Sequence, residues 1–524
     1  MKINKAINFA INNIFKEGVT DIFPRPSEID LLKNIKFRKI ASNCVLKCIE
    51  GNSLDSLEIN QINHVLLPKG GPFDFRRCAL IQPLDTIKYL SLVLIFADEL
   101  EKYRIKKNKK IVFSYRFKPN KDYLFDPKFN ITTFKRNVAN KVKQKSTKIL
   151  VSCDIANFYD RLNLHRLESI LLSLKFDKLR IKQLNELLFF WSNRDSYSLP
   201  VGSNASRILA EAALLEVDNY MLSVGIKFCR FVDDYRFFAP NVHAAHYWLT
   251  LFIERLWFEG LAINQRKTKI EDVSDKSKLE STGSQNIIKD TKKVFTFKTR
   301  IMAGYGGAVP TLFRAPSNNE TSKLRKNDPT KLYSSIKSNE ITEPDDVTLF
   351  IKSVVCTEKF YLLECLPELS DRFLQFTPYI VDVLIKYKDK IERSIKQKIR
   401  NKFSLKLRKE RYLPEYLTMA IVRLLGCLDY QDKNTLLNYF RKLQRNAGSY
   451  IGRALLESLE TLVSRNEVLE IRNYFVRADL WEKRQIVRIV DKHLNEEEKR
   501  PWLKNIRTQG SKDLFMSEYI KPSK

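Results

Sequence analysis

The chain has 524 residues, 44% of them hydrophobic, and carries 92 Lys and Arg against 61 Asp and Glu, a formal charge of +31. That is enough apolar material for a large core in about two to four domains, and so large a cationic excess points to a polyanionic partner, most simply nucleic acid. No apolar run reaches about 18 residues and no leader pattern opens the chain, which argues against a membrane role.

Eight cysteines lie at 44, 48, 78, 153, 229, 356, 365 and 427, with no C-x-x-C pair. That scatter reads as reduced thiols serving as small apolar residues, hence a cytoplasmic location. His243 and His246 have no Cys nearby, so zinc is not expected there.

Residues 1–70 read as mainly helical, with breaks at Pro24-Arg25-Pro26 and Gly70-Gly71. A strand-like piece over Arg76–Pro83 precedes a helix from Asp85 to Lys102. The basic cluster Arg104–Lys110 leads into Ile111–Lys118, where cations alternate with aromatics. Such a pattern suits a surface that grips phosphates and stacks on bases, or a strand edge kept soluble by Lys. Phe134–Lys148 adds Lys135, Arg136, Lys141, Lys143, Lys145 and Lys148.

Lys148–Ile155 is a short apolar run that reads as a buried strand delivering Asp154 at its end. Helices follow at Leu164–Leu174, with Asn163 as N-cap, and at Ile181–Trp191. The loop Leu199–Ser206 then enters a helix reaching to about Leu222. Next, Ile226–Arg230 and Tyr235–Ala239 flank Asp233-Asp234, which reads as a β-hairpin with the aspartates at or beside its turn. Asp also favours turns for its own sake, so the pair alone decides nothing. A helix over His246–Phe258 ends at Gly260, before the short strand and basic turn Leu261–Lys269.

This order predicts an α+β fold, an antiparallel sheet with helices on one face, which sets Asp154 beside Asp233 and Asp234. Three carboxylates that close are costly unless cations neutralise them. Such a cluster can hold two Mg²⁺ ions, or Mn²⁺, one activating an attacking hydroxyl and one steadying a leaving pyrophosphate.

Over roughly residues 70–300 the motifs resemble, in order, those of a reverse transcriptase, a right-hand polymerase with fingers and palm. Asp154–Asp160 is similar to the family's first catalytic aspartate motif. Leu199-Pro200-Val201-Gly202, with Ser206, resembles its template- and nucleotide-positioning loop. Phe231-Val232-Asp233-Asp234 resembles the aromatic-x-Asp-Asp box, and Gly260-Leu261-x-x-Asn264-x-x-Lys267-Thr268 the motif after it. The resemblance implies a metal site of Asp154, Ile155, Asp233 and Asp234, with Lys267 assisting pyrophosphate departure. It implies that Tyr159, beside Phe158, selects dNTPs by excluding a 2′-hydroxyl, and that Gly202 and Ser206 handle the nucleotide. Arg116 and Arg76 or Arg77 become candidates for contacts to the incoming triphosphate. Three positions depart from the pattern: Val201 replaces the usual Gln, Arg207 the usual Pro and Glu211 the usual Asn. These departures put ordinary templated copying in doubt more than the metal chemistry.

Residues 301–330 read as a connector, with a strand at Val294–Arg300 before it and breaks at Gly304–Gly307 and Pro310. Beyond 330 helical periodicity dominates. Similar helices start near Pro378, Pro414, Ser449 and Trp481, a spacing suited to an all-α HEAT-like repeat domain over 331–524, or else a non-repeating bundle. Lys386–Arg411 holds twelve Lys or Arg against three acids. Its Lys396, Lys398 and Arg400, with Arg76, Arg77, Lys141 and Lys143, form the expected nucleic-acid contacts.

A palm joined to such a tail resembles the bacterial defence-associated and abortive-infection reverse transcriptases. That likeness implies DNA synthesis from dNTPs in anti-phage defence, RNA-templated or template-independent, protein-primed or working with a non-coding RNA, in a homo-oligomer. No Tyr precedes Tyr89, so a priming tyrosine, if one is used, is not expected in the N-terminal arm; Tyr519 in a mobile tail is a candidate, with an ordinary surface tyrosine the plainer reading. The alternatives are a retron- or intron-type enzyme that copies a structured RNA, and a non-catalytic nucleic-acid-binding scaffold.

Overall fold

The computed structural model describes residues 1–19, 25–68, 75–193, 195–274, 312–338, 344–409, 413–443, 450–510 and 513–520. Pro24, Gly70-Gly71, the strand expected at Val294–Arg300 and the breaks at Gly304–Gly307 and Pro310 lie outside these. Two compact units emerge: Met1–His64 with Cys78–Phe295, and Val65–Arg77 with Thr296–Lys524.

In chain order the elements to residue 272 are α1 (Ile3–Glu17), α2 (Ile35–Glu50), α3 (Leu54–Leu57), β1 (Asn63–Pro68), β2 (Phe75–Leu80), α4 (Pro83–Tyr103), β3 (Phe117–Asn120), β4 (Tyr123–Phe125), α5 (Ile131–Val142), β5 (Ile149–Asp154), α6 (Phe158–Arg161), α7 (Leu164–Ser173), α8 (Lys178–Trp191), α9 (Asn204–Ala213), α10 (Leu215–Ser223), β6 (Phe228–Phe231), β7 (Asp234–Ala239), α11 (Val242–Phe258) and β8 (Lys269–Asp272). Ala6, Ile7, Ala10, Ile11 and Ile14 give α1 one buried stripe, which packs on α4. Helix α4 buries Ile87, Tyr89, Leu90, Leu92, Val93, Leu94, Phe96 and Ala97, too many for one face, as a core helix should. Strands β1 and β2 pair with each other.

The sheet that carries the site has the order β6-β7-β5-β8, every neighbouring pair antiparallel. Period-2 alternation assigns its faces. Val151, Cys153, Tyr235 and Phe237 share one face, covered by α11, where the Phe252 ring lies 4.6 Å from Tyr235 and 5.3 Å from Phe237. Leu150, Ser152 and Asp154 share the other with Phe238, Arg236 and Asp234.

Helices were expected on one face only, yet α5 also covers part of the second, with Phe134 and Val142 clustered on Leu150, Cys229 and Phe238. The physical reason lies in the residues themselves. Leu150 and Phe238 are apolar and need cover, whereas Ser152, Arg236, Asp154 and Asp234 at the other end of the same face do not.

The second unit is helical from Asn318 onward among the described residues. Helices Thr377–Lys386, Glu415–Gly426, Tyr450–Leu459 and Leu480–His493 stack in succession. Between successive members run Arg393–Lys409, Lys433–Leu443 and Arg465–Tyr474, each packed on the helix that follows it, and Glu496–Asn505 comes after the last. One continuous apolar cluster runs from Phe313 to Met516. Gly426 permits close stacking: a Cβ there would lie 2.7 Å from the Cα of Ser458. Within the same unit, Phe75 of β2 sets its ring 6.2 Å from that of Tyr416. Tyr519 sits in the helix Leu514–Ile520 and packs against the core, so it does not lie in a loose tail. No helix among the described residues is long and apolar enough to cross a membrane.

Candidate active site

Strand register builds the site. Asp154, the last residue of β5, lies directly across from Asp234, the first of β7. Phe231 pairs with Asp234, so the hairpin turn is Val232-Asp233 alone. The Asp233 carbonyl accepts from Ile155 N at 3.1 Å, which ties the turn to the strand carrying Asp154. Ile155 is buried and bridges to Ile263. The three carboxylates thus meet at one end of the sheet, each partly open to solvent.

Their electrostatics follow from that convergence. Burial and the neighbouring Asp154 and Asp234 push the Asp233 carboxyl up to about 7. Burial also raises Asp234, against the pull of Arg236. Arg236 sits two residues along β7 on the same face and clasps Asp234, donating through Nη1 and, at 3.1 Å, through Nη2. Lys267, 63% exposed, lies 3.1 Å from Asp154 Oδ2. Asn264 holds Asp154 from the same side, its Nδ2 at 3.4 Å from Oδ2 and its backbone N at 2.6 Å from the Asp154 carbonyl. Among the described residues no group of three metal-ligating side chains is already set around an ion position, and two of the three carboxylates face protein cations. The donor set still fits divalent magnesium: all-oxygen, hard ligands from three clustered carboxyl groups.

The other expected site residues divide. Phe158 and Tyr159 begin α6 just after the strand, both buried, with ring centroids 5.5 Å apart. Asn157 makes the entry turn at φ +45°, a conformation Asn tolerates. Gly202 adopts φ +118°, which only glycine takes readily. It lines a cavity of about 280 Å³ with Asn13, Glu17, Thr86, Asn204 and Arg207. Ser206 instead turns into the core, its Oγ 3.1 Å from the Tyr89 hydroxyl of α4. Arg116 is buried, 2.6 Å from Glu101 and donating to the Ile105 carbonyl at 2.8 Å, so its guanidinium is engaged inside the fold.

The whole segment Ile111–Ser114 is likewise buried along the edge of β6, not spread as a phosphate-gripping surface. Its apolar residues outweigh the intervening polar ones once a sheet edge is there to cover. Lys141 lays its ammonium 5.1 Å over the Phe238 ring and 3.3 Å from the Phe228 carbonyl, while Lys143 is exposed. Arg76 and Arg77 lie on β2, in the stretch that clusters with the second unit. On the helix Arg393–Lys409, Lys396 pairs with Asp429 at 2.6 Å and Lys398 with Glu364 at 2.7 Å, and Arg400 donates to Asn401 at 3.2 Å. Much of that charge run is therefore balanced by local acids.

Sequence reading passed over Ser114, Asp218, Arg230 and Arg236. Arg230 and Arg236 carried a usable signal, since a charge inside an otherwise apolar strand demands a buried partner.

Residues 95–291 match the family model for reverse transcriptase (RNA-dependent DNA polymerase). The chain carries a reverse-transcriptase domain. The three aspartates, the Gly202 loop and Lys267 all fall within the matched residues. Among solved structures the chain is similar to telomerase from Candida tropicalis in complex with the TWJ fragment of telomeric RNA, at 12% identity and a TM-score of 0.30, covering 69% of this chain and 63% of that one. It is also similar to telomerase from Candida albicans in complex with the same kind of fragment, at 10% identity and a TM-score of 0.29, covering 83% and 67%. The chain thus spans less than two thirds of the first of these. No curated protein matches the sequence.

Proposed function

We propose that this protein synthesises DNA from dNTPs, RNA-templated or template-independent, in anti-phage defence. The observation that carries the polymerase reading is the direct pairing of Asp154 with Asp234, with Asp233 in the adjoining turn and Lys267 3.1 Å from Asp154. Two Mg²⁺ ions, or Mn²⁺, held by Asp154, Asp233 and Asp234 beside Ile155, would activate the attacking hydroxyl and offset charge on the leaving pyrophosphate. The chain's own groups do the rest. Lys267, exposed and 3.1 Å from Asp154, would give a proton to the departing pyrophosphate. Phe158 and Tyr159, buried just past the strand that carries Asp154, would select dNTPs by excluding a 2′-hydroxyl. Gly202 lets the backbone approach the nucleotide.

The defence assignment rests on the combination of this domain with a helical tail. The stacked helix pairs of the second unit support a HEAT-like repeat of 331–524. Partition into 1–70, 71–300, 301–330 and 331–524, homo-oligomer formation, a dedicated non-coding RNA, protein priming and cytoplasmic residence belong to the same reading. Nucleic-acid contact falls to Lys143 and to cations near Arg76, Arg77 and Arg400, since Lys396 and Lys398 already face acids.

Two measurements test this. Purified protein should incorporate dNTPs in a metal-dependent way, and sequencing of the co-purifying nucleic acid should show the product and its template. Cells expressing it should resist phage, and Asp233→Asn with Asp234→Asn should lose that resistance. Protection that persists in the double variant would favour the scaffold reading.

A further inference from the structure

We propose that Ser114, Glu211 and Arg230 form a buried clamp that sets the catalytic turn, with Ser114 as the positioning residue for Asp233. This rests on the polymerase reading of the carboxylate site. The turn itself supplies the motive. Val232 adopts φ +58°, a region that β-branched residues avoid. Strain of that kind persists only where the surroundings over-determine it.

Here both backbone groups of Val232 are tied. Its N–H donates to Ser114 Oγ at 2.9 Å, and its carbonyl accepts from Arg230 Nη1 at 3.1 Å. Ser114 Oγ in turn donates to Glu211 Oε1. Glu211 Oε2 lies 2.9 Å from Arg230 Nη2 and 2.5 Å from Arg104 Nη2. Asp218 completes the set, 2.6 Å from Arg230 Nη2 and accepting from the Tyr235 hydroxyl at 3.0 Å. Two guanidiniums and two carboxylates balance, all out of solvent. Burial alone would raise Glu211, but Arg230 and Arg104 hold it below the usual carboxylate range.

Glu211 stands where the family pattern has Asn, and in sequence it reads as a change in nucleotide handling. In the structure it is the buried hub behind the turn. Ser114 passes its position on to the Val232 amide, and Asp233 is the next residue. A buried ion network is weak evidence of stability by itself. What distinguishes a clamp is that it should matter only while the turn is strained.

The test uses the full chain and Mn²⁺ binding measured by calorimetry, with kcat and the KM for dNTP alongside. Ser114→Ala should weaken Mn²⁺ binding and lower kcat by about tenfold each, with KM within about twofold, the size expected from one lost buried hydrogen bond. In a Val232→Gly background, where φ +58° carries no penalty, the same change should alter both by less than about twofold. An Mn²⁺ affinity unchanged in Ser114→Ala, or an equal loss in both backgrounds, would overturn the clamp. Should Ser114→Ala fail to fold, the Ser114→Ala/Val232→Gly protein carries the test: it should fold and bind Mn²⁺ within about twofold of Val232→Gly, and a larger loss contradicts the clamp. A wild-type protein that incorporates no dNTP would sink the polymerase reading, while the Mn²⁺ ratio would still decide the clamp.

Discussion

Replacing Asp233 by Asn should stabilise the metal-free protein at pH 8 and do so less than half as much at pH 5. Burial beside Asp154 and Asp234 raises this carboxyl to about 7 in the folded chain, against 3.8 as its ordinary value. Between those two values the folded state holds a proton that the unfolded state has released. Stability therefore falls as pH rises through that window, and is lowest above 7. Three pH units would correspond to about 4 kcal/mol; partial exposure of the site screens this to on the order of 2 kcal/mol. Asn mimics the protonated acid and carries no such penalty. At about 2 °C per kcal/mol for a unit of this size, the variant should melt about 4 °C higher at pH 8 in EDTA and about 1.5 °C higher at pH 5. Mg²⁺ should erase the difference by stabilising only the wild type. Parallel melting curves across the pH range would show that the three carboxylates do not repel one another as the register implies.

Other outcomes follow from the same geometry. Lys267→Ala should lower kcat by about a hundredfold or more with a smaller effect on KM, read by single-nucleotide incorporation, because it removes a proton donor and not a binding contact. Tyr159→Ala should admit ribonucleotides, with the dNTP preference falling by about tenfold or more in competition assays. Gly426→Ala should destabilise the helical unit by about 1–3 kcal/mol in chemical denaturation, since the new Cβ meets the backbone of Ser458, while leaving incorporation chemistry in place.

The carboxylate site was legible in sequence because its signals are local. An apolar strand ending on Asp154 and a hairpin centred on Asp233-Asp234 fix the register by pattern and turn length. What was not legible depends on tertiary partners. Ile111–Ser114 looks the same in sequence whether it edges the surface or packs along β6, and only the fold decides. Ser206 carries a motif position but faces Tyr89 of α4, 117 residues away in sequence. Arg116 met a carboxylate at Glu101 that no spacing rule pairs with it. The charge run of Arg393–Lys409 was plain, but the acids that answer it, Glu364, Asp371, Asp429 and Asp432, lie 24 to 35 residues in sequence from the cations they pair with, in a neighbouring helix, in helical turns and in a loop. The attachment of Val65–Arg77 to the second unit had no sequence signal at all.

On the proposed function, Asp154, Asp233 and Asp234 form a metal-dependent nucleotidyl-transfer site. The most direct measurement is incorporation of labelled dNTP by purified protein with Mg²⁺, with EDTA, and in Asp233→Asn and Asp234→Asn. Incorporation should require the metal and fall by about a thousandfold or more in either variant. Incorporation that survives in both variants, or that proceeds equally in EDTA, would contradict it.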